Sequence, residues 1–288
     1  MKIAIGTAQF GFSYGIANKL GQVSRKDAKG ILELALDSYV DTLDTAIAYG
    51  ESESFLGELD VKKFKVVTKL PPIPLGINEA KNWIRSQVMN SMARLNVKNL
   101  YGLLLHRPAQ LLSSLGPEIY SEMMRLKEEG IITKIGISIY TPDELSILVP
   151  LFKFDLVQTP FNLIDKRIYE SGWLTRLSNE GIEIHSRSVF MQGLLLMPKI
   201  SIPEQFSQWN HIWDHWSSWL DSHPGGALKN CLDYVLSFSE IEKVVVGVDS
   251  LIQLEQIFEA ISKPNLLDFP EIGSTDINLI NPAEWSKL

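Results

Sequence analysis

Eight short apolar runs, each followed by a stretch with helical periodicity, constrain this chain more than any other feature. They are Lys2–Gly6, Val40–Asp44, Phe64–Lys69, Leu100–His106, Ile132–Ser138, Phe154–Gln158, Ile182–Arg187 and Val244–Val248. Most are continuously apolar rather than alternating, the pattern of strands buried on both faces of a parallel sheet. Helix signals lie between them. Ser24 through Asp27 reads as a capping box, and Asn78 opens a long helical stretch to Leu95. Thr141-Pro142-Asp143-Glu144 combines an N-cap, a proline at the first helical position and an acidic first turn. Gly130 and Gly181 stand where C-terminal caps belong. Eight β-then-α units with short links predict an α/β fold, a single closed (β/α)₈ TIM barrel over residues 1–288 with a C-terminal tail from about 264. The rival, a doubly wound open sheet, would more often carry an early glycine-rich dinucleotide fingerprint, and none is present.

Charge and composition narrow the partners. A net charge of −7 disfavours nucleic acid, which needs a basic face. No apolar run approaches the roughly 20 residues that span a bilayer. Cys231 is the only cysteine, so an intrachain disulfide and a structural cysteine-based zinc site are both excluded. The N-terminus, Met1 to Gly6, has no cleavable apolar region, and a reducing, cytoplasmic setting is expected.

A barrel carries its active site at the C-terminal ends of its strands. Four polar residues fall on that rim: Asp44 ending Thr42-Leu43-Asp44, Tyr49 in the loop beyond it, Lys69 closing the third run and His106 closing the fourth. A buried strand has no use for a charge at its end unless something there needs it. An acid, a phenol, an amine and an imidazole on one rim make a site able to donate a proton. Each residue alone has a plainer reading, as a cap, a packed ring, a solvated charge or a rim histidine.

The motifs Asp44-Thr-Ala-x-x-Tyr49-Gly50, Val-Thr-Lys69 and Leu-Leu-His106-Arg-Pro resemble the aldo-keto reductase family, whose catalytic tetrad is Asp, Tyr, Lys and His in that order. The resemblance runs from about Ile5 to Glu259. It implies a nicotinamide-dependent reductase of a carbonyl compound, with Tyr49 as the proton donor. A free tyrosine has a pKa of about 10, which a nearby ammonium would lower, so Lys69 is expected to activate Tyr49. Asp44 would hold Lys69, and His106 would polarise the carbonyl.

The resemblance also assigns a cofactor half, with departures. The family's Ser-Asn pair after the fifth strand is here Ser138-Ile139, while Gln158 matches a carboxamide ligand. Arg187 stands where an aromatic usually stacks on the nicotinamide, and its planar guanidinium could do the same. Ser188, Phe190 and Gly193 would face the pyrophosphate, with Thr7 bordering the pocket. After the eighth strand, Gly247, Asp249, Ser250, Gln253 and Gln256 resemble the family's phosphate loop and helix start. Family habit points to NADP(H). Asp249, near the place where many members carry Lys or Arg, keeps NAD(H) open.

Substrate contacts are expected from Gln9, Phe10, Tyr14 and Arg107, the last meeting an anionic group or pairing with an acidic neighbour. Phe161 and Asn162 are candidates for the pocket wall. The mixture suits a sugar-like or nucleotide-linked carbonyl as well as a simple aldehyde. Trp209, Trp213, Trp216 and Trp219 form a helical stripe read as packing. His211 and His215 have i,i+4 spacing but no third ligand, so no metal is expected. Pro282-Ala283-Glu284-Trp285 is expected to anchor the tail, which in this family can approach the site mouth. A monomer or weak homo-oligomer is expected. The alternative function is a cofactor-binding regulatory or scaffold subunit on the same barrel. An isomerase or dehydratase using the same acid site is a third.

Overall fold

The computed structural model describes residues 1–77, 79–262 and 268–288. Its strands are β1 (Ile3–Gly6), β2 (Thr42–Asp44), β3 (Lys65–Leu70), β4 (Leu100–Leu105), β5 (Ile132–Ser138), β6 (Leu156–Pro160), β7 (Glu183–Arg187) and β8 (Lys243–Gly247). Every neighbour pair is parallel, and β8 closes on β1 with Gly6 opposite Gly247. The expected barrel is therefore present, each strand within two residues of its sequence-derived position. The helix expected to open at Asn78 runs Ala80–Leu95; Asn78 itself, like the expected tail boundary at 264, lies outside the described residues.

Local chemistry sets the helix ends. Ser24 Oγ accepts from the Asp27 amide at 3.1 Å and starts the helix Arg25–Asp37. The Glu144 carboxylate accepts from the Tyr140 and Thr141 amides at 2.6 and 3.1 Å, starting Pro142–Leu148. Gly130 and Gly181 have φ of +73° and +72°, the left-handed conformation a helix stop requires.

Side chains two apart on a strand share a face, so β3 sends Lys65, Val67 and Lys69 the same way. Val67, Leu104 and Leu156 pack together as the barrel interior, separate from the large apolar layer between strands and helices. Gly136 lets this layer close, since a Cβ there would sit 1.9 Å from the Leu156 carbonyl oxygen. Below, a polar floor joins Lys134, Tyr101 and His185 to Glu183, and Lys65 and Lys243 to Asp41.

One link is not short. Residues 188–225, between β7 and the helix Gly226–Leu236, contain three 3₁₀ turns and the extra helix Asn210–Ser222. That helix and the 3₁₀ turn before it carry the tryptophan stripe. Trp209, Trp213 and Trp216 are buried, and their indole N–H groups donate to Asp276, the Phe206 carbonyl and the Leu195 carbonyl at 3.0 Å each. The stripe thus packs the long loop onto its own chain. Trp285 anchors the tail edge-on against Phe206.

Candidate active site

The C-terminal rim of the barrel surrounds a cavity of about 600 Å³. Asp44 ends β2, Lys69 is the penultimate residue of β3, and His106 follows β4 directly. Tyr49 comes from the turn before the helix Ser52–Glu58. That turn is locked by Gly11, where a Cβ would lie 1.8 Å from the Tyr49 carbonyl oxygen.

Beneath the cavity runs one hydrogen-bonded chain. Lys69 Nζ donates to Asp44 Oδ1 at 2.6 Å and to the Thr45 carbonyl at 2.8 Å. Asp44 Oδ2 accepts from Gln158 Nε2 at 2.6 Å, and Gln158 Oε1 accepts from Ser138 Oγ at 3.1 Å. All four of these side chains are buried. Lys69 Nζ lies 5.1 Å from the centroid of the Tyr49 ring, which meets the His106 ring edge-on at 5.9 Å.

These contacts set the protonation states. Burial pushes the Tyr49 phenol well above its ordinary value, and Asp44 adds to the rise while Arg187 opposes it. The lowering expected from Lys69 is not found, because the Lys69 charge is countered by Asp44 at contact distance. Burial pulls Lys69 itself down, and Asp44 works against that pull. His106 falls to about 4 through burial, helped by the positive charges of Lys69 and Arg187. At neutral pH the site presents a neutral phenol and a neutral imidazole.

The expected cofactor residues distribute unevenly. Ser138, Gln158, Arg187, Ser188, Phe190, Gly193, Gly247, Asp249, Gln253 and Gln256 line the cavity, as does Thr7. The Thr7 hydroxyl donates to the Asp44 carbonyl at 3.1 Å and accepts from Ser52 at 3.0 Å, fixing the ends of β1 and β2. Ser250 is not in the lining; its hydroxyl caps the helix Leu251–Ile261 through the Gln253 amide. Arg187 donates to the Ile139 carbonyl at 2.9 Å and to Ser188 Oγ at 3.2 Å, with its guanidinium over the Tyr140 ring.

Of the expected substrate residues, Gln9 and Tyr14 line the cavity. Phe10 does not. It is fully buried against Phe55, because the short helix Ala8–Gly11 turns it into the core. Arg107 is on the exposed rim over Tyr140, outside the lining. Phe161 is likewise buried, and Asn162 holds the Ser188 carbonyl at 3.0 Å.

Several lining residues escaped the sequence reading: Ala17, Asn18, Tyr140, Gln192 and Asn281, while Pro282 and Ala283 reach the lining from the tail expected to approach the site mouth. Asn18 had a signal, an Asn three residues before a glycine; its Oδ1 accepts from the Leu20 and Gly21 amides. Its Nδ2 donates to Asp249 at 3.1 Å, tying the loop after β1 to the loop after β8. Gln192 reaches the same loop through Tyr14 and Ala17.

A model of the aldo/keto reductase family matches residues 2–272. A Schizosaccharomyces pombe protein described as an uncharacterized oxidoreductase is 31% identical over 142 residues, covering 44% of each chain. A 6-dehydroglucose reductase from Novosphingobium aromaticivorans is 26% identical over 192 residues, 60% of this chain and 62% of its own. The matched region thus spans about half the length of these curated relatives. Among solved structures, the aldo-keto reductase AKR11C1 from Bacillus halodurans in its holo form superposes with a TM-score of 0.74 at 19% identity, covering 92% of this chain and 88% of its own. At that identity the likeness is one of fold.

Proposed function

The chain belongs to the aldo/keto reductase family, and from that premise we propose that it is a nicotinamide-dependent oxidoreductase reducing an aldehyde or ketone to an alcohol, with Tyr49 as the proton donor. The observation that carries this reading is the buried chain Ser138–Gln158–Asp44–Lys69 beneath Tyr49 and His106, facing a cavity large enough for a small ligand and more. The lining fits a nicotinamide dinucleotide: amides from Gln158, Gln253 and Gln256 and hydroxyls from Ser138 and Ser188. Bound there, the nicotinamide would supply or accept the hydride.

The protein's own part is the proton. A carbonyl taking hydride becomes an alkoxide, and Tyr49, held neutral by burial, gives it the phenol proton. Neutral His106 donates an N–H to the same oxygen as charge develops. Lys69, fixed by Asp44, carries the positive charge against which the Tyr49 phenolate is left after transfer.

For the coenzyme form, family habit points to NADP(H), but the lining supports NAD(H). Arg187 is the sole Lys or Arg among the described lining residues, and it stands at the end of β7, beside Tyr140. The loop after β8 offers the Asp249 carboxylate, which can bond ribose hydroxyls and repels a 2′-phosphate. Separate fluorescence titrations with NADH and NADPH, followed by carbonyl turnover, test the proposal. Tight binding with turnover supports it; binding without turnover favours a regulatory subunit; no binding of either coenzyme overturns it.

A further inference from the structure

The chain has eight arginines, at 25, 85, 94, 107, 125, 167, 176 and 187. Six of them stand against a carboxylate: Arg25 on Glu58, Arg85 on Glu122 and Glu129, Arg94 on Glu53, Arg125 on Glu129, Arg167 on Asp165 and Arg176 on Glu180. Among the described residues, the two without an acidic partner are Arg107 and Arg187. Both lie at the candidate active site, and both pack on the same ring. Their Cζ atoms are 4.7 and 4.9 Å from the Tyr140 centroid.

The placement is specific. Arg187 ends β7 and is held by two neutral acceptors, the Ile139 carbonyl and Ser188 Oγ, so its charge is positioned but not cancelled. Its field reaches the proton-donating groups, lowering His106 and restraining the rise of Tyr49. Arg107 follows His106 directly in the chain and stays on the exposed rim. Of its two sequence-derived fates, a pairing with an acidic neighbour is not the one taken. In a chain of net charge −7, with acids to spare, two uncancelled guanidiniums beside one site are an anion receptor in composition.

We propose that Arg107, Arg187 and Tyr140 form a specificity subsite for an anionic group, so that the substrate is a carbonyl compound carrying a carboxylate or a phosphate. This rests on the reductase reading and adds the substrate class to it. Arg187 fixes the anion within the cavity, and Arg107 meets it from the rim. A planar, forked donor suits both anions, and a neutral carbonyl compound forms no ion pair with either arginine.

The test compares matched pairs on the full chain, with NADH and NADPH each supplied: succinic semialdehyde against its neutral amide, and glyceraldehyde against its phosphate ester. The expected result is a preference of about tenfold or more in kcat/KM for the charged member of at least one pair, the scale of a hydrogen bond to a charged group. Which pair shows it identifies the anion. Arg107→Gln, a rim substitution, should cut that preference several-fold by raising KM for the charged member more than for the neutral one. Equal turnover of charged and neutral members overturns the subsite and leaves the reductase reading standing. A preference untouched by Arg107→Gln overturns the two-arginine form. No turnover of any of the four with either coenzyme overturns both.

Discussion

Gln158 donates its side-chain N–H to Oδ2 of Asp44 at 2.6 Å, so a residue expected to hold coenzyme is also a brace for the tetrad. Its Oε1 is engaged by Ser138, which leaves one N–H and one lone pair of the amide for a ligand. The two halves of the site are therefore one network.

Replacing Gln158 by Leu should damage both halves. Asp44 would keep Lys69 but lose the partner of its second oxygen while still buried, costing about 1–3 kcal/mol. The expected outcome is a lower melting temperature together with reduced kcat. An unchanged melting temperature would mean that water replaces the amide at no cost.

The protonation states set a pH profile. With Tyr49 raised above its ordinary 10.0 and His106 at about 4, reduction should be nearly flat from about pH 5 to 9. Alcohol oxidation needs the Tyr49 phenolate, so its rate should climb roughly tenfold per pH unit and still be rising at about pH 10. Stability has its own limb. The folded His106 value lies below the ordinary 6.5, so the unfolded chain binds the proton first as pH falls. That contribution is whole above about 6.5 and is lost progressively toward 4. Rate and denaturation curves across this range check both signs.

The loops over the cavity depend on Gly193. Its φ is +89°, and a Cβ there would lie 2.4 Å from that of Ala17. Gly193→Ala should push the loops after β1 and β7 apart, at a stability cost of about 1–2 kcal/mol, and weaken coenzyme binding. Fluorescence titration reads the binding loss; an affinity within twofold of the parent would deny these loops a role in holding coenzyme.

Asp249 should decide coenzyme choice. Asp249→Ser removes the carboxylate facing the cavity, and the NADPH dissociation constant should fall about tenfold while that of NADH rises as the ribose hydroxyls lose their acceptor. A parallel change for both coenzymes would mean that Asp249 acts only by holding Asn18.

The barrel and its rim were legible because each rests on local pattern: apolar runs bounded by Gly6, Asp44, Lys69 and His106, and caps at Ser24 and Thr141. What was not legible depends on distance in the chain. Gln158 and Asp44 meet 114 residues apart, and no local period announces it. Tyr140 is a single aromatic two residues past β5, and a lone ring in a sequence reads as packing. Phe10 was misplaced because the chain does not stay extended after β1; one helical turn rotates the ring inward. The shift in Tyr49 had the opposite sign to the expectation because burial outweighs a lysine already paired with Asp44.

The account stands on Tyr49 as proton donor, and Tyr49→Phe tests it most directly, with coenzyme affinity and carbonyl reduction measured on the same preparation. The predicted result is a loss of about 10²- to 10⁴-fold in kcat with the coenzyme dissociation constant within about threefold of the parent. Undiminished turnover in that variant would contradict it.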